Sequence, residues 1–330
     1  MPNLFDLNLE TTFESIDDYL ASHPEWNLKG KVTRTEKAGE GNMNVVLRTF
    51  LNDGSSIILK QSKPFVHKYP VIPAPLNRIE VEHTFYKTIR VNEYLKKQMP
   101  VYIAYDPANH LMILEDLGTG SDFTYLYQRG NAHKFPGKKG IAFLSGLHQL
   151  EVPESFPDNM ELRQLNAEHI FDYPYRHNEG FDLDQIQPGL LDIAQPFFES
   201  TQLKSQVQTL KKSYLSTGQY LIHGDFYPGS WLDSGNGFKV IDPEFSFIGH
   251  AEYDLGILLG HCKMARVEEA MIKEFIGEYS YSSSFDIEYM WQIAGIEIIR
   301  RLIGLAQLPV DLTLEEKKVL LGWALKKLMF

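Results

Sequence analysis

Val, Ile, Leu and Thr are concentrated in 30–37, 43–51 and 55–61, which read as strands. Asn52-Asp53-Gly54 separates the last two and is a strong hairpin turn signal. A helix over 11–22 precedes them. Pro64, Pro70, Pro73 and Pro75 predict an irregular loop across 62–77. Helical spacing follows over 78–96. Two further strands, 100–105 and 110–115, are joined by a turn at Asp106-Pro107-Ala108-Asn109. These elements predict an antiparallel sheet with one long helix inserted, ending near Glu115-Asp116-Leu117-Gly118. The rest of the chain is mainly helical in pattern, with helices expected at 138–150, 184–217, 264–279, 286–307 and 313–329. The last opens on Thr313-Leu314-Glu315-Glu316, which fits a capping box. Only 220–223, 229–233 and 237–241 read as short strands there. The expected fold is α+β in two lobes: a small sheet-rich lobe over 1–116, a hinge near 114–119, and a larger, mainly helical lobe over 117–330. Ligand sites commonly lie in the cleft between two such units.

Composition narrows the class. The chain has 330 residues, about two domains at ~150 residues each. Apolar residues make up 43%, enough for large cores, and the formal net charge is −11. No strongly basic block is present, which argues against nucleic acid as a partner. The acidic balance serves solubility and would also tolerate a cationic substrate. The single cysteine, Cys262, cannot form an internal disulfide, and no Cys/His cluster has zinc spacing. The start, Met1-Pro2-Asn3-Leu4-Phe5-Asp6, lacks a signal-peptide pattern, and no apolar run approaches the roughly 18 residues of a membrane span. The expectation is a cytoplasmic protein with no membrane partner; a homodimer stays open.

Two segments carry the chemistry: Ile222-His223-Gly224-Asp225-Phe226-Tyr227-Pro228-Gly229-Ser230, and Val240-Ile241-Asp242-Pro243-Glu244 one hairpin later. Kinase-type phosphoryl transfer needs one carboxylate facing the acceptor hydroxyl and others holding magnesium against the nucleotide phosphates. Asp225 fits the first role. Asp242, Glu244 and the Ser230 hydroxyl fit the second, because magnesium takes hard oxygen ligands and keeps several waters. Most kinase-like enzymes place asparagine where Ser230 stands. His223 is expected to brace its own loop, and Asp254 to brace or cap that loop from the next helix.

The phosphate-binding parts lie upstream. Gly39 and Gly41, with Asn42 and Asn44, form a glycine-containing turn whose backbone amides could approach phosphate oxygens. Lys60 closes the strand one hairpin later, the place of a lysine that pairs with the α- and β-phosphates. Glu80 and Glu82 could each orient it. They cannot share a helix face, and Glu82 is favoured because Phe85 and Tyr86 would pack on its side. Glu115 and Leu117 mark the hinge, where backbone groups read a nucleotide base. Arg300-Arg301 interrupts the apolar helix pattern 286–307. Either Arg301 pairs with Glu297 on a solvated face, or the guanidinium forks bind substrate hydroxyls or the transferring phosphoryl group.

Together these residues resemble the aminoglycoside phosphotransferase and choline kinase superfamily, which has a protein-kinase-like fold, and within it the methylthioribose kinase family. The resemblance rests on Gly39-Glu40-Gly41-Asn42-Met43-Asn44, on Leu59-Lys60-Gln61 with Pro64-Phe65-Val66, and on Ser230. It also rests on Ile241-Asp242-Pro243-Glu244-Phe245, on Arg300-Arg301 before Gly304-Leu305-Ala306, and on Phe171-Asp172-Tyr173-Pro174-Tyr175. It implies ATP- and Mg2+-dependent phosphorylation of a small, sugar-like alcohol such as 5-methylthioribose, with Asp225 as base and the tandem arginine stabilising the transition state. A kinase of an amino alcohol or aminoglycoside is the alternative. A catalytically silent nucleotide-binding regulator is less favoured, because Lys60, Asp225 and Asp242 are all present.

Overall fold

A computed structural model describes residues 4–39, 41–177, 182–235 and 237–329. The first half forms a five-stranded antiparallel sheet. In spatial order its strands are Val32–Lys37, Val45–Leu51, Ser56–Gln61, Leu111–Glu115 and Tyr102–Asp106. Ser56–Gln61 is central, with Lys60 opposite Val46 on one side and Met112 on the other. Alternation along that strand sends Ile57 and Leu59 into a core with Ile16 and Leu20 of the helix Phe13–Ala21. Lys60 therefore faces the opposite side, toward the helix Arg78–Ile89 and the helical half.

Two expectations for this half need correction. The loop 62–77 contains a small hairpin, Phe65–Val66 with Tyr69–Pro73. The helix expected over 78–96 is two helices, Arg78–Ile89 and Glu93–Gln98. Asn92 starts the second, its side-chain oxygen accepting from the N–H groups of Tyr94 (3.0 Å) and Leu95 (3.1 Å).

The second half holds the helices Gly137–His148, Met160–Phe171, Leu183–Ile186, Leu190–Glu199, Thr201–Leu215, Ala251–Met264, Glu269–Glu278, Ile287–Ile303 and Leu314–Met329. The expected 184–217 helix is three, broken by left-handed Gly189 (φ 85°) and by Ser200, which caps the last. Met160–Phe171 was not expected, and Ala251–Met264 was expected only as the helix that carries Asp254, without bounds. In Ala251–Met264 every residue but Lys263 is buried, so the segment has no polar face and gives no helical period to read. The capping box at Thr313 forms as expected: Glu316 N–H donates to Thr313 Oγ1, and Thr313 N–H donates to Glu316 Oε2. Tyr220–Ile222 pairs with Phe247–Gly249, a strand absent from the expectation. Trp231–Asp233 pairs with Phe238–Val240, and residues 228–230 form a short turn rather than strand. No helix among the described residues is long and apolar enough to cross a membrane.

Candidate active site

The sheet delivers Lys60, and the helix behind it delivers Glu82. The Lys60 Nζ–Glu82 Oε2 distance is 2.7 Å, and both side chains are buried. Glu80, two residues earlier, is exposed. Lys60 also donates to Asp242 Oδ1 at 2.6 Å. Burial opposes the lysine charge, but the carboxylates of Asp242, Glu82 and Glu244 outweigh it and hold the ammonium's pKa above its ordinary value. Burial pushes Glu82 up to about 8 against the pull of Lys60. Asp242 and Glu244 push Glu82 the same way as burial, so it is the 2.7 Å contact with the Lys60 ammonium that favours the ionic pair we assign.

The strand Tyr220–Ile222 leads into the His-Gly-Asp loop. Gly224 adopts φ 81°, and a Cβ there would sit 2.2 Å from the Phe245 carbonyl oxygen, so only glycine fits. Asp254, fully buried, accepts from His223 N–H (2.7 Å) and Gly224 N–H (2.9 Å), bracing the loop from the helix Ala251–Met264. His223 packs inward with Nε2 3.0 Å from the Ile241 carbonyl. That contact ties the loop to Asp242, whose backbone is left-handed at φ 60°. Such strain in a non-glycine residue collects at functional sites. Ser230 Oγ donates to the Asp225 carbonyl at 2.9 Å.

The Asp225 carboxylate faces the tandem arginine. Its Oδ1 lies 3.3 Å from Arg301 Nη2 and 3.7 Å from Arg300 Nη1. Arg301 does pair with Glu297, at 2.6 Å, but on a buried face rather than a solvated one. Glu297 also meets Arg300 Nη1 at 3.2 Å and His261 Nε2 at 3.0 Å. Sequence reasoning missed His261 and Tyr227, because both join the cluster only through tertiary packing. The Tyr227 ring lies under the Arg301 guanidinium at 4.5 Å.

A second buried knot joins the glycine turn to Glu244. Arg78 is fully buried and donates to the carbonyls of Met43 (2.8 Å), Lys63 (2.8 Å) and Pro75 (2.6 Å) and to Asn44 Oδ1 (3.0 Å). Its Nε is 3.4 Å from Glu244 Oε2, which also accepts from Asn44 Nδ2 at 2.9 Å. The Asn44 side chain is thus committed to Arg78, Ser62 and Glu244 instead of standing free for a phosphate. Glu244 has only Oε1 left for another partner. Sequence reasoning missed Arg78. The available signal was a cation in a helix's first turn, against the macrodipole. Asn42 is exposed, and a Cβ on Gly39 would meet nothing, so that edge of the turn is open. At the hinge, Asp116 accepts from Arg48 Nε (2.7 Å) and Ser56 Oγ (2.6 Å), Glu115 accepts from Val101 N–H (2.9 Å), and Leu117 is half-buried.

Residues 137–288, which include the His-Gly-Asp loop and Asp242, match the phosphotransferase enzyme family, APH. That stretch is similar to an APH phosphotransferase domain and makes up a little under half of the chain. Methylthioribose kinase of Bacillus cereus strain B4264 is 26% identical over 87% of this chain and 83% of its own. The same-named protein of strain AH820 is 27% identical over the same shares. Spectinomycin phosphotransferase APH(9)-Ia, solved with ADP and spectinomycin, superposes with a TM-score of 0.55 at 12% identity, covering 97% of this chain and all of the other. Choline kinase from Cryptosporidium parvum Iowa II gives 0.55 at 15% identity, over 96% of this chain and 95% of its own. These likenesses show the two-lobe, protein-kinase-like α+β fold, and with the family match they make this phosphotransferase a small-molecule kinase.

Proposed function

We propose that the protein transfers the terminal phosphoryl group of ATP to a hydroxyl of a neutral, sugar-like small molecule, with 5-methylthioribose the first candidate. The observation that carries this reading is the Asp225 carboxylate with two buried guanidinium groups within 4 Å, in the same fold as the Lys60–Glu82 pair. Asp225 orients the acceptor hydroxyl and takes its proton as transfer proceeds. The guanidinium groups stabilise charge on the phosphoryl oxygens, and they disfavour a cationic acceptor beside Asp225. Lys60, fixed by Glu82, binds the α- and β-phosphates. Backbone amides at Gly39, Gly41 and Asn42 cover the phosphates, and the backbone at Glu115 and Leu117 reads the base.

Asp242, half-exposed, and the Ser230 hydroxyl would hold magnesium, with Glu244 contributing through Oε1. No cluster of three His, Cys, Asp or Glu suited to a metal occurs among the described residues. That suits an ion that uses one or two carboxylates together with substrate phosphates. The metal supplies charge neutralisation on those phosphates. The hinge at Asp116 divides the lobes 1–116 and 117–330, and ATP use places the work in the cytoplasm. Support for the sugar acceptor comes from the methylthioribose kinase relatives and from the tandem arginine.

The test is ADP release from magnesium-ATP against 5-methylthioribose, ribose, choline, homoserine and an aminoglycoside. Selective turnover of 5-methylthioribose is the expected result. Selective turnover of choline or an aminoglycoside refutes the neutral-acceptor assignment, and no turnover above background with any acceptor refutes the kinase reading for this panel.

A further inference from the structure

Arg300 and Arg301 are neighbours in sequence but differently held in space. Arg301 is committed on every side. Nε donates to Glu297 (2.6 Å), Nη1 to the Ala306 carbonyl (3.3 Å) and Nη2 to Asp225 (3.3 Å), while its plane lies over Tyr227. Among the described residues, Arg300 donates only through Nη1 to Glu297, and its Nε is buried without a hydrogen-bond partner. Buried N–H groups are normally satisfied, so an orphan on a guanidinium whose Nη1 lies 3.7 Å from Asp225 points to an oxygen that arrives with a ligand.

Glu297 creates this difference. It is 2% exposed and spends Oε1 on Arg301 and His261, and Oε2 on Arg300. Its carboxylate can only accept, so His261 Nε2 carries the proton facing it. His261 Nδ1 then accepts from the Tyr127 hydroxyl at 2.7 Å. Burial lowers the His261 pKa, in keeping with a neutral ring in that tautomer. The relay exists because two helices approach closely. A Cβ on Gly260 would lie 3.0 Å from the Ala294 carbonyl oxygen and 3.3 Å from Glu297 Cβ, so glycine there lets Ala251–Met264 bring His261 against Ile287–Ile303.

We propose that Glu297 is the positioning residue that divides the work of the tandem arginine. It locks Arg301 as the brace of Asp225, and it holds Arg300 through Nη1 alone, which leaves Nε and the rest of the fork for an acceptor or phosphoryl oxygen. His261 and Tyr127 fix the Glu297 carboxylate from behind. The proposal deepens the phosphotransferase reading and rests on it.

The experiment starts with wild type and Asp225→Asn. A wild type that phosphorylates no acceptor sinks the phosphotransferase reading, and the division of labour is then judged on the free protein alone. There, nitrogen-15 NMR of the arginine Nε–H groups should show Arg301 protected in wild type and released in Glu297→Gln. Equal protection in both proteins overturns the proposal. In the active enzyme, Glu297→Gln should lower kcat by about 100-fold, the scale of an ångström-sized misplacement, with nucleotide affinity kept. Arg300→Ala should raise the acceptor KM, Arg301→Ala should act mainly on kcat, and Arg300→Ala should add little in the Glu297→Gln background. A kcat within about threefold of wild type, or effects of Glu297→Gln and Arg300→Ala that simply multiply, refutes the proposal. If Glu297→Gln fails to fold, Tyr127→Phe leaves every charge in place and loses one hydrogen bond of the relay. A fall in kcat of about fivefold is expected, and an unchanged kcat overturns the assignment.

Discussion

Replacing Arg78 by methionine should cost more stability than removing any ion pair on the surface. Methionine fills most of the arginine stem but supplies none of its donors. The change leaves Glu244, itself buried, with Asn44 as its hydrogen-bonded partner among the described residues and the Lys60 charge nearby as its remaining compensation. Breaking a buried charge pair in this way costs about 3–5 kcal/mol. The carbonyls of Met43, Lys63 and Pro75 lose a donor as well, at about 1 kcal/mol each where water cannot replace it. Some water will enter, so we expect a loss of about 4–7 kcal/mol, a large part of the ~5–15 kcal/mol that typically holds a domain folded. The measurement is equilibrium urea unfolding with linear extrapolation. Lys138→Met is the control: its contacts with Glu274 and Glu278 are as short, yet the site is solvent-exposed, and its midpoint should match wild type. Arg78→Lys should recover less than half the loss, because one ammonium cannot replace a planar fork facing acceptors in several directions. Adding Glu244→Gln to Arg78→Met should restore part of it by removing a buried charge that has lost one of its two cations. A loss below about 2 kcal/mol for Arg78→Met would refute the reasoning, since the knot would then be contributing no more than a surface pair.

Three further outcomes are expected. Asp225→Asn should reduce turnover by about 10²–10⁴-fold while nucleotide still binds; equal turnover in a steady-state assay would remove Asp225 from the mechanism. Gly256→Ala puts a Cβ 2.6 Å from Ile293 Cβ and 2.7 Å from the Met290 carbonyl oxygen, so two helices must part; calorimetry should show a loss of about 1–3 kcal/mol, and an unchanged melting temperature would contradict the close crossing. The third concerns pH. Burial alone would raise the pKa of Glu297, but Arg301, Arg300 and His261 hold it well below the ordinary 4.5. A lowered folded-state pKa adds stability that is fully present above about pH 4.5 and is lost as pH falls toward the folded value. The gap in melting temperature between wild type and Glu297→Gln should therefore be constant near neutrality and narrow progressively below about pH 4.5; a gap as wide at pH 3 as at pH 7 counts against it.

Much of this protein was legible in local patterning. The strands around Lys60 are rich in β-branched and apolar residues, the Asn52-Asp53-Gly54 turn is chemically specific, and Thr313 with Glu316 announces a helix start. Each depends on neighbours within a few positions. His223, Asp225 and Asp242 were legible because residue type, spacing and flanking apolar runs suffice to mark them. The favoured choice of Glu82 over Glu80 came from helix geometry, since Phe85 and Tyr86 pointed to the buried face.

What tertiary structure alone decided lies in contacts between distant segments. Ala251–Met264 is buried all round, so burial erased the very period by which a helix is recognised. Arg300 and Arg301 look equivalent in sequence; Glu297 on their own helix divides them, and the approach of His261 and Tyr227 from other segments fixes that division. Asn44 and Glu244 each matched a ligand-binding position, yet Arg78 holds both in one buried knot. A sequence records which side chains can donate, accept or carry charge. Which partner satisfies each of them depends on desolvation and on distances between segments 30 to 200 positions apart, and those exist only once the chain has folded.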